Sequence, residues 1–279
     1  MKKIFSPFTR EPLTMVINSI VKLILPEKIF LLSVLHRAQE SENIFGQSPV
    51  TEQVVISFHL LVLAAETDTR SNNDLQDIIE HRSGHNTDIT AFVLPIHQFN
   101  DWLIQDHPFA SKVYQQASLL YDAGITPLAI PGTYNEAATK EMLRSILDIH
   151  TAQALEFIAG AGLFMLRKRY GLAAFHLHQA AEQIYSGIIR FLSGLRVQTH
   201  NLDKLYRYAR HLLPALDTAF PRDSETEKEL FRWLQKAYAD GRYNSDFSVK
   251  HAIISQLSER VQKLLELCKT LQYSKTIHT

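Results

Sequence analysis

Near residue 124 the pattern of this chain changes, and that change limits the folds open to it. Before it, short apolar runs rich in β-branched residues alternate with helical stretches. After Glu136 the apolar spacing is helical almost to the end. Between the two lie Gly124, Pro127, Pro131 and Gly132, residues that break both helices and strands. A chain of 279 residues has room for two ordinary domains. The pattern therefore predicts an α+β protein: residues 1–124 as a small mixed sheet with helices, 125–133 as a linker, and 134–279 as an all-α up-and-down helical bundle.

In the first half three apolar runs suit buried strands: Ile29 to Leu35 after Pro26, Val54 to Leu63, and Asp88 to Leu94, the last ended by Pro95. A polar stretch with Gly46 and Pro49 connects the first two. Asn72 or Asn73 is placed to cap a helix running to Glu80. A helical stretch from Phe109 to Gln116 precedes a short strand at Ser118 to Tyr121. In the second half breaks at Tyr170-Gly171, Gly194 to Thr199, Pro214 to Ser224 and Gly241 to Phe247 divide the chain into about five helices, with Thr199 and Ser224 available as caps.

Composition excludes several classes. Hydrophobic residues make up 46% and charged residues 21%, which is globular rather than disordered. Twenty-nine Lys and Arg balance 29 Asp and Glu, so any contact with nucleic acid must be a local patch. Pro7, Arg10, Glu11 and Pro12 interrupt the start before a signal-peptide core can form. The longest apolar run, near Ala152 to Leu166, is shorter than the roughly 20 residues that span a bilayer, so no membrane association is expected. The single cysteine, Cys268, lies among Leu264, Leu265, Leu267 and Leu271 at helical spacing. It reads as a core residue in a protein of the reducing cytoplasm.

Three motifs in the helical half carry chemistry. In Ala174-Phe175-His176-Leu177-His178-Gln179-Ala180-Ala181-Glu182, a helix brings Phe175, Gln179 and Glu182 to one face and sets His178 one turn from Glu182. The alanines admit a neighbouring helix closely. Such a polar set serves equally as an interhelical tie or as the wall of a polar pocket. His176 and His178, two apart, point to different sides, a poor pair for zinc, and no cofactor is expected. Thr199-His200-Asn201-Leu202 looks like a helix start. Ala237-Tyr238-Ala239-Asp240-Gly241-Arg242-Tyr243 ends a helix with a cation beside aromatic rings, suited to phosphate and base or to a plain terminal ion pair. In this order the three motifs resemble the HEPN domain, in particular its sacsin-like branch, over roughly residues 134–271. The resemblance implies a helical bundle, a homodimer through it, and a nucleotide- or RNA-binding site drawn from His178, Gln179, Glu182, His200, Tyr238, Arg242 and Tyr243.

Many HEPN domains also share a ribonuclease signature: Arg, a spacer of about four to six residues, then His for general acid–base cleavage. Here Arg242 is followed by Asn244 and Asp246, and the next histidine, His251, comes only after eight intervening residues. Arg144 to His150 and Arg169 to His176 fit loosely, but in a chain with 13 histidines such pairs arise by chance. The first half resembles a minimal nucleotidyltransferase over residues 20–124. In that family one strand ends in Gly-Ser, the next carries Asp-x-Asp, and a third adds a carboxylate, because divalent metal needs paired anionic oxygens. Here Leu32-Ser33, Ser57-Phe58-His59 and Asp88 stand at those positions. Ser, His and one Asp do not make a hard-cation site. The resemblance thus implies a degenerate domain without metal and a non-catalytic binder. Three alternatives stay open: a ribonuclease using His200 or His251, a residual nucleotidyltransferase using Asp88, and a structural or antitoxin-like partner of another protein.

Overall fold

The computed structural model describes residues 7–41, 51–82, 87–133, 135–244 and 247–273. The Gly46–Pro49 connection and Asp246 lie outside them. The chain divides into two compact units, residues 1–134 and 135–279.

The first unit is a four-stranded mixed sheet ordered β3-β2-β1-β4. β1 (Lys28–Ser41) pairs antiparallel with β2 (Thr51–Ala64) and with β4 (Ser118–Asp122), while β2 and β3 (Asp88–Pro95) run parallel. The parallel step requires a crossover, which α2 (Asn72–Arg82) supplies. Strand alternation sorts the core. Ile56, Phe58, Leu60 and Val62 of β2 join Ile29, Leu31, Ile89, Ala91 and Val93 on one face. Leu75 and Ile79 of α2 and Leu13, Val16, Ile20 and Ile24 of α1 (Pro7–Ile24) cover them. On the other face β2 and β3 meet α3 (Ile96–Ile104), whose Phe99 ring lies 6.1 Å from Phe30. Phe109 of α4 (Pro108–Gln116) packs edge-on against Phe92 at 5.7 Å.

Two helices depart from the expectation. The helix α1 starts at Pro7, where a missing N–H costs nothing, and runs on through Pro12. The apolar stripe at Leu13, Val16, Ile20 and Ile24 outweighs the backbone bond that Pro12 cannot donate. Pro95 ends β3 as expected but also stands at the N-cap of α3. The cap of α2 is Ser71 rather than Asn72 or Asn73: its Oγ accepts from the Asp74 N–H at 3.1 Å. Residues 125–133, where Gly and Pro suggest a linker, are hydrogen-bonded within the first unit. Thr126 donates to the buried Glu27 carboxylate from its N–H at 3.0 Å and its hydroxyl at 2.9 Å, and the Asn100 amide bonds Pro127 and Ala129.

The second unit is a helical bundle: α5 (Glu136–Leu166), α6 (Tyr170–Ser193), α7 (Leu202–Leu212), a 3-10 turn (Pro214–Thr218), α8 (Glu225–Tyr243) and α9 (His251–Tyr273). α6 packs against α5, α7, α8 and α9, and its alanines 173, 174, 180 and 181 are fully buried. Ser224 caps α8 by accepting from the Glu227 N–H. The cap of α7 is Asn201, which accepts from the Lys204 N–H, while Thr199 two residues earlier accepts from the Asn201 N–H. Cys268 is buried beside Thr151. α5 is long and apolar enough to cross a bilayer by length and composition, and it extends the Ala152 to Leu166 run back to Glu136.

Candidate functional site

The face of α6 between α5 and α8 is where the polar residues collect. His178 is fully buried, and its Nδ1 donates to the Leu234 carbonyl of α8 at 3.0 Å. A carbonyl only accepts, so Nδ1 carries a proton, and Nε2 is turned toward the Glu182 carboxylate, 3.6 Å away. The same carboxylate lies 3.0 Å from His200 Nδ1 and 3.4 Å from the Gln179 amide. Burial pushes the Glu182 carboxyl up, but the hydrogen bonds and charge of His178 and His200 outweigh it and hold the group below its ordinary range. His200 stacks on Tyr238 of α8 with ring centroids 4.6 Å apart and planes 14° from parallel, and His178 lies 5.1 Å from the same ring. Glu182 therefore joins two histidines that share one tyrosine.

One turn further along α8, the Arg242 guanidinium lies 5.5 Å from the Tyr238 ring, 5.8 Å from Phe175 and 4.8 Å from Tyr243. Five of the seven expected residues, His178, Gln179, Glu182, His200 and Tyr238, thus form one cluster. Arg242 stands at its edge, and Tyr243 is exposed beside Arg242. His176 points the other way, into Phe157, Phe164 and Phe175, and burial there lowers its basicity. His251, at the start of α9, packs edge-on against Tyr170 at 5.5 Å. In the first unit Ser57 and Asp88 are register partners on adjacent parallel strands, and the Ser57 hydroxyl donates to Asp88 at 3.0 Å. Among the described residues no group of three or more His, Cys, Asp and Glu side chains is placed to hold a metal ion.

Glu182 and His200 also form one wall of an open cleft of roughly 600 Å³, a volume within the range of small-ligand sites. α6 continues that wall with Gln183, Ser186 and Arg190. The loop from Gly194 to Asn201 closes it with Arg196 and Thr199, and α5 faces it with Ile146 and His150. Gly194 sits at φ 79°, the left-handed conformation that ends α6 and turns the loop back over it. Gly187 brings α5 close: a Cβ there would lie 2.8 Å from that of His150. This approach sets His150 Nδ1 2.8 Å from the Gln183 amide oxygen.

Gln183, Ser186, Arg190, Arg196 and His150 are not among the site residues expected from the sequence. A signal was present for the first three. With Gln179 and Glu182 they make a polar stripe at helical spacing on an otherwise apolar helix. Nothing local marks Arg196, which is placed by the loop.

No curated protein matches the chain. Among family models, the one described as the HEPN domain matches residues 148–271, a segment that holds the Glu182 cluster and most of the cleft. Residues 148–271 are a HEPN domain.

Proposed function

We propose that this HEPN domain, of the sacsin-like branch, binds a nucleotide or an RNA end without a catalytic centre of its own. A HEPN domain supports a nucleotide- or RNA-related role in general. The observation that carries the finer reading is the His200–Tyr238 stack, anchored by Glu182 and opening on a cleft with two arginines. Stacked rings offer a face to a base, and a fixed carboxylate accepts from sugar or base donors. In a titration with a fluorescent nucleotide or a short RNA, loss of the exposed His200 ring in His200→Ala is expected to weaken binding about tenfold, the value of one lost base stack. Absence of binding at high micromolar protein, with and without magnesium, defeats the proposal.

The first unit is, on this reading, a degenerate nucleotidyltransferase-like domain. Ser57 and Asp88 face each other across adjacent strands where the family pattern asks for carboxylates, and a serine hydroxyl now fills one place. The helical domain of the second unit, in turn, pairs as a homodimer through the exposed Met142, Ile149, Leu155 and Leu163 of α5. Light scattering is expected to give a dimer mass for the wild type and a monomer mass for Ile149→Glu; a monomeric wild type excludes the pairing.

A second reading has one specific support. A histidine hydrogen-bonded to a carboxylate, as His200 is to Glu182, is the arrangement a general base requires. Cleavage of labelled RNA by the pure protein, lost in His200→Ala, decides for a ribonuclease. A tight protein complex that tolerates alanine at Glu182 and Tyr238 decides instead for an antitoxin-like partner.

A further inference from the structure

The Glu182 cluster accounts for one end of the cleft and leaves the other unexplained. There Arg190, from the last turn of α6, and Arg196, from the following loop, line the same space. Among the described residues neither guanidinium has an ion pair or a side-chain hydrogen bond. The nearest carboxylate that lines the cleft, Glu182, is already engaged by His200 and Gln179. Ser186, one helical turn before Arg190, adds a hydroxyl to the same wall, and Thr199 adds another from the loop.

We propose that this end of the cleft is a phosphate site, in which Arg190 and Arg196 hold the terminal phosphomonoester of a nucleotide or short oligonucleotide. The proposal rests on the nucleotide-binding reading above and extends it to the part of the ligand that carries charge. Two unneutralised guanidiniums facing one cavity suit a dianion better than a carboxylate, which would balance only one of them. Guanidinium groups also match the oxygen geometry of phosphate with paired donors. The proximity is felt in the free protein: burial, followed by the positive charge of Arg196, disfavours the charged form of Arg190. A bound anion relieves that repulsion. The fixed charge of Glu182 at the opposite end gives the cleft a polarity. Phosphate is repelled from the His200–Tyr238 end and drawn to the arginines, so the ligand enters in one orientation.

The test compares AMP, adenosine and inorganic pyrophosphate by calorimetry on the full chain, wild type against the double variant Arg190→Gln, Arg196→Gln. The wild type is expected to bind AMP at least about tenfold more tightly than adenosine, in a salt-dependent manner, and the double variant to lose that difference. Arg196 is exposed, so Arg196→Glu alone repeats the measurement should the double variant melt early. Equal affinity for AMP and adenosine, unchanged in the variants, overturns the phosphate site while leaving nucleotide binding in place. Arginine-dependent binding of pyrophosphate with no gain from the nucleoside leaves the phosphate site standing and removes the base-stacking reading. No binding of any of the three removes both.

Discussion

Lowering the pH from 7 to 5 is expected to cost this protein about 2 kcal/mol of stability through His211 alone, at about 1.4 kcal/mol per unit of pKa shift. His211 ends α7 with 6% of its surface exposed. Burial, and after it the charges of Arg210 and Arg207, push its pKa from 6.5 down to about 3. The unfolded chain therefore takes up a proton at higher pH than the folded one. The contribution is complete above pH 6.5, declines as the pH falls, and is exhausted near pH 3, where the accumulated loss is about 5 kcal/mol. His176, lowered by burial, acts in the same direction. Glu182 and Asp122, both held below their ordinary values, lose their contributions at lower pH, from the ordinary carboxylate range downward. Urea unfolding between pH 7 and pH 5 separates these windows. His211→Gln is expected to flatten the slope by close to one proton. Equal slopes for the two proteins would rule His211 out as the cause.

Replacing Gly187 with valine is expected to cost about 3 kcal/mol, the upper end of overpacking penalties. The first added carbon would stand 2.8 Å from the His150 Cβ and 3.3 Å from Leu147 Cδ1, both on α5. Relief requires α5 and α6 to separate, and that separation breaks the 2.8 Å bond between His150 and Gln183 in the cleft wall. The variant should therefore lower both the urea midpoint and the affinity for AMP. Gly187→Ala serves as the calibration, because the gain of about 1 kcal/mol in helix propensity offsets part of the clash. A valine variant as stable as the wild type would mean that the helices can part without cost.

These two effects also show how far the residues announce the structure. The strand at Val54 to Leu63 and the helices around Ala174 to Glu182 and Ala237 to Tyr243 are legible because their information is local: an apolar run rich in β-branched residues in the first, alanine and polar spacing in the others. Helix α1 is not, because Pro12 argues locally against a helix whose stability comes from burying Leu13, Val16, Ile20 and Ile24 on a sheet that follows later in the chain. The caps at Ser71 and Asn201 differ from the expected ones by one or two positions, where neighbouring residues could all serve and only the turn geometry chooses. In the site, the pairing of Glu182 with His178 follows from helical spacing. Its bond to His200 depends on how a loop returns across α6, and the meeting of Arg190 with Arg196 depends on the left-handed turn at Gly194. Gly187 gives no sign in the sequence of the histidine it must accommodate.

α6 touches each of the other four helices of its unit and also carries Glu182, Gln183, Ser186 and Arg190. The groups that greet a visitor are therefore mounted on the central stave of the barrel. Such a helix cannot breathe without loosening all of its neighbours. The backbone positions that carry those side chains are set when the chain folds, so little backbone order remains to be supplied on association.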